Sequence, residues 1–132
     1  MRTIECKRKA NVERDMDLIR EILLKVEADP ELDGYHYKTL DSADFPGHTK
    51  REVAYHVGQL VEAGLLKSEG STIEDVSPII SRLTWAGHEF LDNIKDVGVW
   101  QQVKLRIVGL PGLALPVIAK IAEAEIMKKL GL

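Results

Sequence analysis

A chain of 132 residues fits one domain with one core, and 18 Lys and Arg against 21 Asp and Glu give a net charge of −3, which excludes a bulk electrostatic pull toward nucleic acid or an anionic membrane. The single Cys6, in the run Cys6-Lys7-Arg8-Lys9, excludes an internal disulfide and lacks metal-ligand neighbours, which points to a reducing, cytoplasmic compartment. The longest uncharged apolar run, 107–119, is broken by Gly109, Pro111, Gly112 and Pro116 and falls short of the roughly 20 residues of a membrane span, and the N-terminal residues are too polar for a signal peptide.

Residues 1–13 show no apolar period and read as a basic, flexible arm. Together with Arg14, the cations Arg2, Lys7, Arg8 and Lys9 outnumber Glu5 and Glu13 by three, so any attraction to phosphate leans on this end. In 14–27, Met16, Ile19, Leu23 and Val26 recur at three- and four-residue steps with Ile22 beside them, which predicts a core-facing helix. Asp15 is placed to cap it, because a short acidic side chain accepts from the free first-turn amides. Asp29-Pro30 ends it, since the residue before proline is pushed out of helical space. Tyr35 and Tyr37 then alternate with His36 and Lys38 as in a short strand, followed by turn formers Asp41, Ser42, Asp44 and Pro46-Gly47, with room for a small helix in 38–45.

Thr49-Lys50-Arg51-Glu52 has the form of a capping box and marks the next helix start. Val53, Val57, Leu60 and Val61 form its apolar stripe, Gly64 its C-cap, and Arg51, Tyr55, Gln59 and Glu62 its opposite face. A hairpin follows, with strands at 65–67 and 79–83, a turn at Glu69-Gly70-Ser71 and a polar loop holding Glu74 and Asp75. Thr84 caps a helix with Gly87, Phe90, Leu91 and Ile94 on one side, ending near Val97-Gly98, and a short helix is expected in 99–108. The tail, 116–130, is a helix with Pro116 in its first turn and Gly131 past its end. Its apolar residues Val117, Ile118, Ile121, Ile126, Met127 and Leu130 keep to no single stripe, which suits burial between protein surfaces.

This order, with the helix ending Gln59-Leu60-Val61-Glu62-Ala63-Gly64-Leu65-Leu66 and the later run from Arg82-Leu83-Thr84-Trp85 to Gly87-His88-Glu89-Phe90-Leu91, resembles bacterial winged helix-turn-helix regulators over about 14–97. The chain is also similar to a family of bacterial and prophage proteins of unknown function, through Arg14-Asp15-Met16-Asp17-Leu18-Ile19-Arg20, Tyr55-His56 before Leu60, and Leu83-Thr84-Trp85 to Phe90-Leu91. The expected fold class is mainly α with a small β-hairpin, an α+β winged helix-turn-helix. Its parts are an arm (1–13), a winged-helix domain (14–97) and a C-terminal helical extension (98–132).

The resemblance implies that the capped helix lies in a major groove, with His48, Thr49, Lys50, Arg51 and Tyr55 near phosphates and base edges and Lys7, Arg8 and Lys9 holding phosphates as an arm. Against this stand the acidic body and the loop residues Glu74 and Asp75, where a phosphate-contacting wing would carry Lys or Arg. The alternative is a protein-interaction module whose tail helix, through Val117, Ile118, Ile121, Ile126 and Leu130, joins a second copy or another protein. His36, His48, His56 and His88 lack metal-ligand spacing and are read as structural or surface groups, with His56 packing or bonding locally. Trp85 and Trp100 are expected in the core. With no phosphate loop, nucleophile elbow or paired carboxylates, the expectation is a binding module without cofactor or metal, not an enzyme.

Overall fold

A computed structural model describes residues 14–71, 77–110 and 113–132. Among them, five helices and a two-stranded antiparallel hairpin make an α+β architecture. In chain order these are α1 (Met16–Ala28), a 3-10 turn (Ser42–Asp44), α2 (Lys50–Glu62), β1 (Leu66–Ser71), β2 (Pro78–Leu83), α3 (Trp85–Ile94), α4 (Val97–Ile107) and α5 (Leu115–Lys129).

Helix α1 begins where the Asp15 carboxylate accepts from the amides of Asp17 and Leu18, two donors with no partner inside the helix. The Asp15 amide donates in turn to Nε2 of His56 at 2.7 Å, while His56 Nδ1 lies 2.7 Å from the Glu52 carbonyl, so Nδ1 carries the proton. His56 is fully buried. One imidazole thus pins the start of α1 to the middle of α2, and Leu18, Ile22 and Val26 join Val53, Val57 and Leu60 in one core.

Strand β1 pairs with β2 through Leu66 with Leu83 and Lys67 with Arg82, and the register then slips before Ser71 meets Pro78. Gly70, at φ +117°, supplies a backbone conformation that this irregularity needs. Glu69-Gly70-Ser71, expected to turn, therefore belongs to β1. Lys38 forms a single antiparallel bridge with Ile80, so β2 runs between β1 and Lys38. The short strand expected at 35–38 shrinks to that bridge. Tyr35 and Tyr37 are both exposed, leaving no buried face to extend the pairing.

Thr84 caps α3 by accepting from the Gly87 amide, and its hydroxyl donates to the Gly64 carbonyl at 2.6 Å. A Cβ on Gly87 would sit 2.1 Å from the Leu65 carbonyl oxygen, so only glycine lets α3 lie directly on the chain leaving α2. At the other end of α3, Arg20 donates from Nε to the Ile94 carbonyl at 2.8 Å and from Nη2 to the Lys95 carbonyl at 2.7 Å.

Helix α4 starts at Val97, two residues before the expected start, because Asp96 accepts from the Val99 amide and caps it there. Val99, Trp100 and Val103 of α4, with Leu115, Ile118 and Ala122 of α5, belong to the same buried cluster as α1 and α2, so one continuous core runs through 14–97 and 98–132. Arg14 also donates to the Leu113 carbonyl. The two tryptophans part company. Trp100 is buried as expected, but Trp85 is 77% exposed, because the helical period sets it across α3 from Gly87, Phe90, Leu91 and Ile94.

The tail helix has a narrower buried stripe than its composition suggests: Leu115, Ile118, Ala122 and Glu125. The Glu125 carboxylate lies 2.5 Å from Arg106 Nε in an ion pair, though the alignment at Oε2 falls short of a hydrogen bond. No described helix is long and apolar enough to cross a membrane.

Candidate nucleic-acid interface

The surface at the start of α2 is built on its cap. Thr49 Oγ1 accepts from the Glu52 amide at 3.1 Å, and Glu52 Oε1 accepts from the Thr49 amide at 2.8 Å. That backbone donor holds the Glu52 carboxyl below its usual range, with help from His48, whose Nδ1 lies 3.6 Å away. The only carboxylate in the first two turns is therefore turned back onto the helix start.

Arg51, Ala54, Tyr55, Gly58, Gln59 and Glu62 fall on one side of α2, opposite the buried Val53, Val57 and Leu60. Lys50, Arg51 and Tyr55 are exposed, Thr49 is exposed at the cap, and His48 is half-buried. The Tyr55 ring meets His56 edge-on, with ring centroids 5.3 Å apart and planes at 82°. Because His56 is locked by two backbone groups, Tyr55 projects from a fixed base. Ala54 and Gly58 are half-buried, and a Cβ on Gly58 would lie 3.9 Å from Pro78 Cγ, so this part of the helix side rests near the start of β2.

The structure brings His48, Thr49, Lys50, Arg51 and Tyr55 together at one end of α2. Lys7, Arg8 and Lys9 lie outside the described residues, as do Glu74 and Asp75. The five tail residues do not share a surface: Ile118 is inside the chain's own core, Ile121 and Ile126 pack partly against it, and Val117 and Leu130 are exposed. Ile118 is buried in the chain's own core, where α3 and α4 pack against α5. Sequence reasoning did not foresee Gln59 as part of the site, or His56 as the support of Tyr55. The spacing of His56 from Val53, Val57 and Leu60 does place it at the edge of the buried stripe. Among the described residues no three His, Cys, Asp or Glu side chains converge to hold a metal.

Residues 13–112 match the family described as hypothetical protein (DUF2513). The chain belongs to the DUF2513 family. A protein of Haemophilus influenzae described as "Uncharacterized protein" is 36% identical to this DUF2513 member over 121 residues, covering 90% of this chain and 99% of the relative. No solved structure matches the chain. The match to DUF2513 takes in α1, α2, the hairpin, α3 and α4, and hence the whole face of α2 described above.

Proposed function

We propose that this chain is a cytoplasmic winged-helix protein of bacterial or prophage origin that binds double-stranded DNA and regulates transcription as a homodimer, with α2 lying in the major groove. The observation that carries the reading is the outward side of α2. Arg51, Tyr55 and Gln59 project along it, Lys50 stands at its start, and Glu52 is drawn back into the cap. Arg and Gln are side chains suited to bidentate contacts with guanine and adenine edges, and Lys or Arg supplies the phosphate contacts. The element order supports the winged-helix part, with α1, the Lys38 bridge, the 3-10 turn, α2 and the hairpin in sequence and β2 between β1 and Lys38.

The test is titration of the full chain with random-sequence duplex DNA across a salt series. Binding should fall steeply with salt, and Lys50→Ala with Arg51→Ala should weaken it at least about tenfold and flatten the slope by roughly two contacts. Absence of binding at low salt, or unchanged affinity of the double variant, sinks the α2 reading.

A second reading, a module that joins a second copy or another protein, draws on one observation. Val97, Leu105 and Val108 are exposed on the side of α4 opposite Val99 and Val103, Leu110 is exposed just after it, and Leu130 and Leu132 are exposed at the end of the chain. The salt-series titration separates the two, and light scattering on the full chain tests the self-association they share: a monomer at high micromolar concentration removes the homodimer from both.

A further inference from the structure

Trp85 is the largest apolar side chain left in solvent, and it does not stand alone. It lines a recess of about 330 Å³ with Val26, Leu32, Leu83, Arg82 and His88, at the end of the molecule where α1 finishes and β2 passes into α3. Val26, Leu32 and Leu83 are buried and form an apolar floor, while Arg82 and His88 are exposed at the rim.

Two carboxylates, Glu27 and Asp33, also line this recess, and both are occupied by the chain itself. Lys95 Nζ lies 2.8 Å from Glu27 Oε1 and donates to Oε2 at 3.0 Å. Asp33 Oδ1 accepts from the Tyr35 amide at 2.8 Å and the His36 amide at 3.2 Å. Arg82 is the group left facing outward with donors to spare. Its Nη1 donates to the Leu83 carbonyl at 2.9 Å, one of five N–H groups on a planar fork. Gly34 leaves room for the stem, since a Cβ there would lie 3.3 Å from Arg82 Cδ. The recess thus combines an exposed indole, a floor of buried apolar side chains, and a guanidinium and an imidazole among its exposed lining groups. The larger cleft of about 620 Å³ between α3 and α5 has the opposite character, with Glu89, Asp92 and Glu123 against Lys120.

We propose that the recess formed by Trp85, Arg82 and His88 binds a small planar aromatic anion, its ring stacked on the exposed indole and its carboxylate or phosphate met by Arg82 and His88. The volume is at the lower end of ligand pockets, which suits one ring system with one anionic group. Stacking and cation contacts to a ring are available to any aromatic ligand, so the charge sets the class and the recess size limits it. This site is separate from α2 and does not depend on DNA binding.

The experiment uses the full chain labelled with nitrogen-15, whose two indole N–H signals provide a probe and an internal control. Trp85→Phe removes one signal and assigns it. Salicylate supplies an aromatic carboxylate, adenosine monophosphate an aromatic phosphate, and benzyl alcohol a neutral ring. The expected result is a saturable shift of the Trp85 signal by at least one of the anions with a Kd below ~1 mM, an unmoved Trp100 signal, and benzyl alcohol weaker by at least about tenfold. Response to salicylate alone or to the nucleotide alone names the anionic group. Arg82→Ala should weaken binding at least about tenfold and Arg82→Lys less so, with the Trp100 signal unchanged in both as proof of folding. No saturable shift with either anion overturns the proposal, as does benzyl alcohol binding as tightly as the anions or Arg82→Ala binding as tightly as the parent chain.

Discussion

The two tryptophans sit in regions built on opposite terms. Around Trp100, α4 closes against α1: the indole is buried, its N–H donates to Asp17 Oδ1 at 2.8 Å, and Lys104 Nζ lies 2.9 Å from the same carboxylate oxygen and 6.0 Å from the ring centre. Around Trp85 the indole stands in solvent above an apolar recess, and among the described residues its N–H meets no acceptor. Size alone does not send an aromatic residue inward. What decides is whether its helical phase faces a neighbour and whether its one polar atom finds a partner there.

The comparison predicts a wide spread in stability. Trp100→Ala should cost about 3 to 5 kcal/mol, since it opens a cavity and strips Asp17 of a donor at once. Chemical denaturation reads this directly, and a loss under about 1 kcal/mol would place Trp100 on the same footing as Trp85. Gly87→Ala should follow at about 3 kcal/mol, because its methyl group meets a backbone carbonyl that no side-chain rotation can clear. A variant as stable as the parent would mean that α3 can lift off Leu65, and the exposed region would then rest on a yielding base.

The Trp100 junction should also carry a pH signature. Burial pushes the Asp17 carboxyl up, but the Trp100 indole and Lys104 together outweigh it and hold the carboxyl below its usual range. A carboxyl lowered in the folded state is protonated first in the unfolded chain. Its stabilisation is therefore complete above the ordinary aspartate value of about 3.9 and is lost as pH falls through the lower folded value. The gap in melting temperature between the parent chain and Asp17→Asn should narrow from pH 7 to pH 3; a constant gap contradicts this. The smallest effect belongs to Trp85→Ala, within about 0.5 kcal/mol of the parent, and a larger loss would show that the recess supports the fold.

Much of the architecture was legible in residues whose chemistry is local. Asp15, the Thr49 to Glu52 box and Thr84 mark helix starts because capping is a contact between neighbours in sequence. The stripe of α3 was equally readable, and the same wheel that grouped Gly87, Phe90, Leu91 and Ile94 already set Trp85 opposite them. What sequence left hidden depends on partners far along the chain. His56 is defined by Asp15, 41 residues away, and Trp100 by Asp17, 83 residues away. Glu69-Gly70-Ser71 carries turn-forming residues, yet pairing with β2 draws it into a strand. For the candidate interface, the cluster from His48 to Tyr55 followed from a continuous helix and the withdrawal of Glu52 from its capping box, whereas the seating of Tyr55 on a locked imidazole emerged only in three dimensions.

The double grip of Arg20 on the last carbonyls of α3 bears on how the molecule opens. Helix ends ordinarily fray on their own, exposing their amides to exchange with solvent long before the rest unfolds. Here the end of α3 is closed by a side chain rooted in the middle of α1, so the last turn of α3 is freed only when that guanidinium lets go. The amides of that turn should exchange with deuterium at rates that track those of α1, and the two helices should behave as one cooperative unit despite a separation of 74 positions from Arg20 to Ile94.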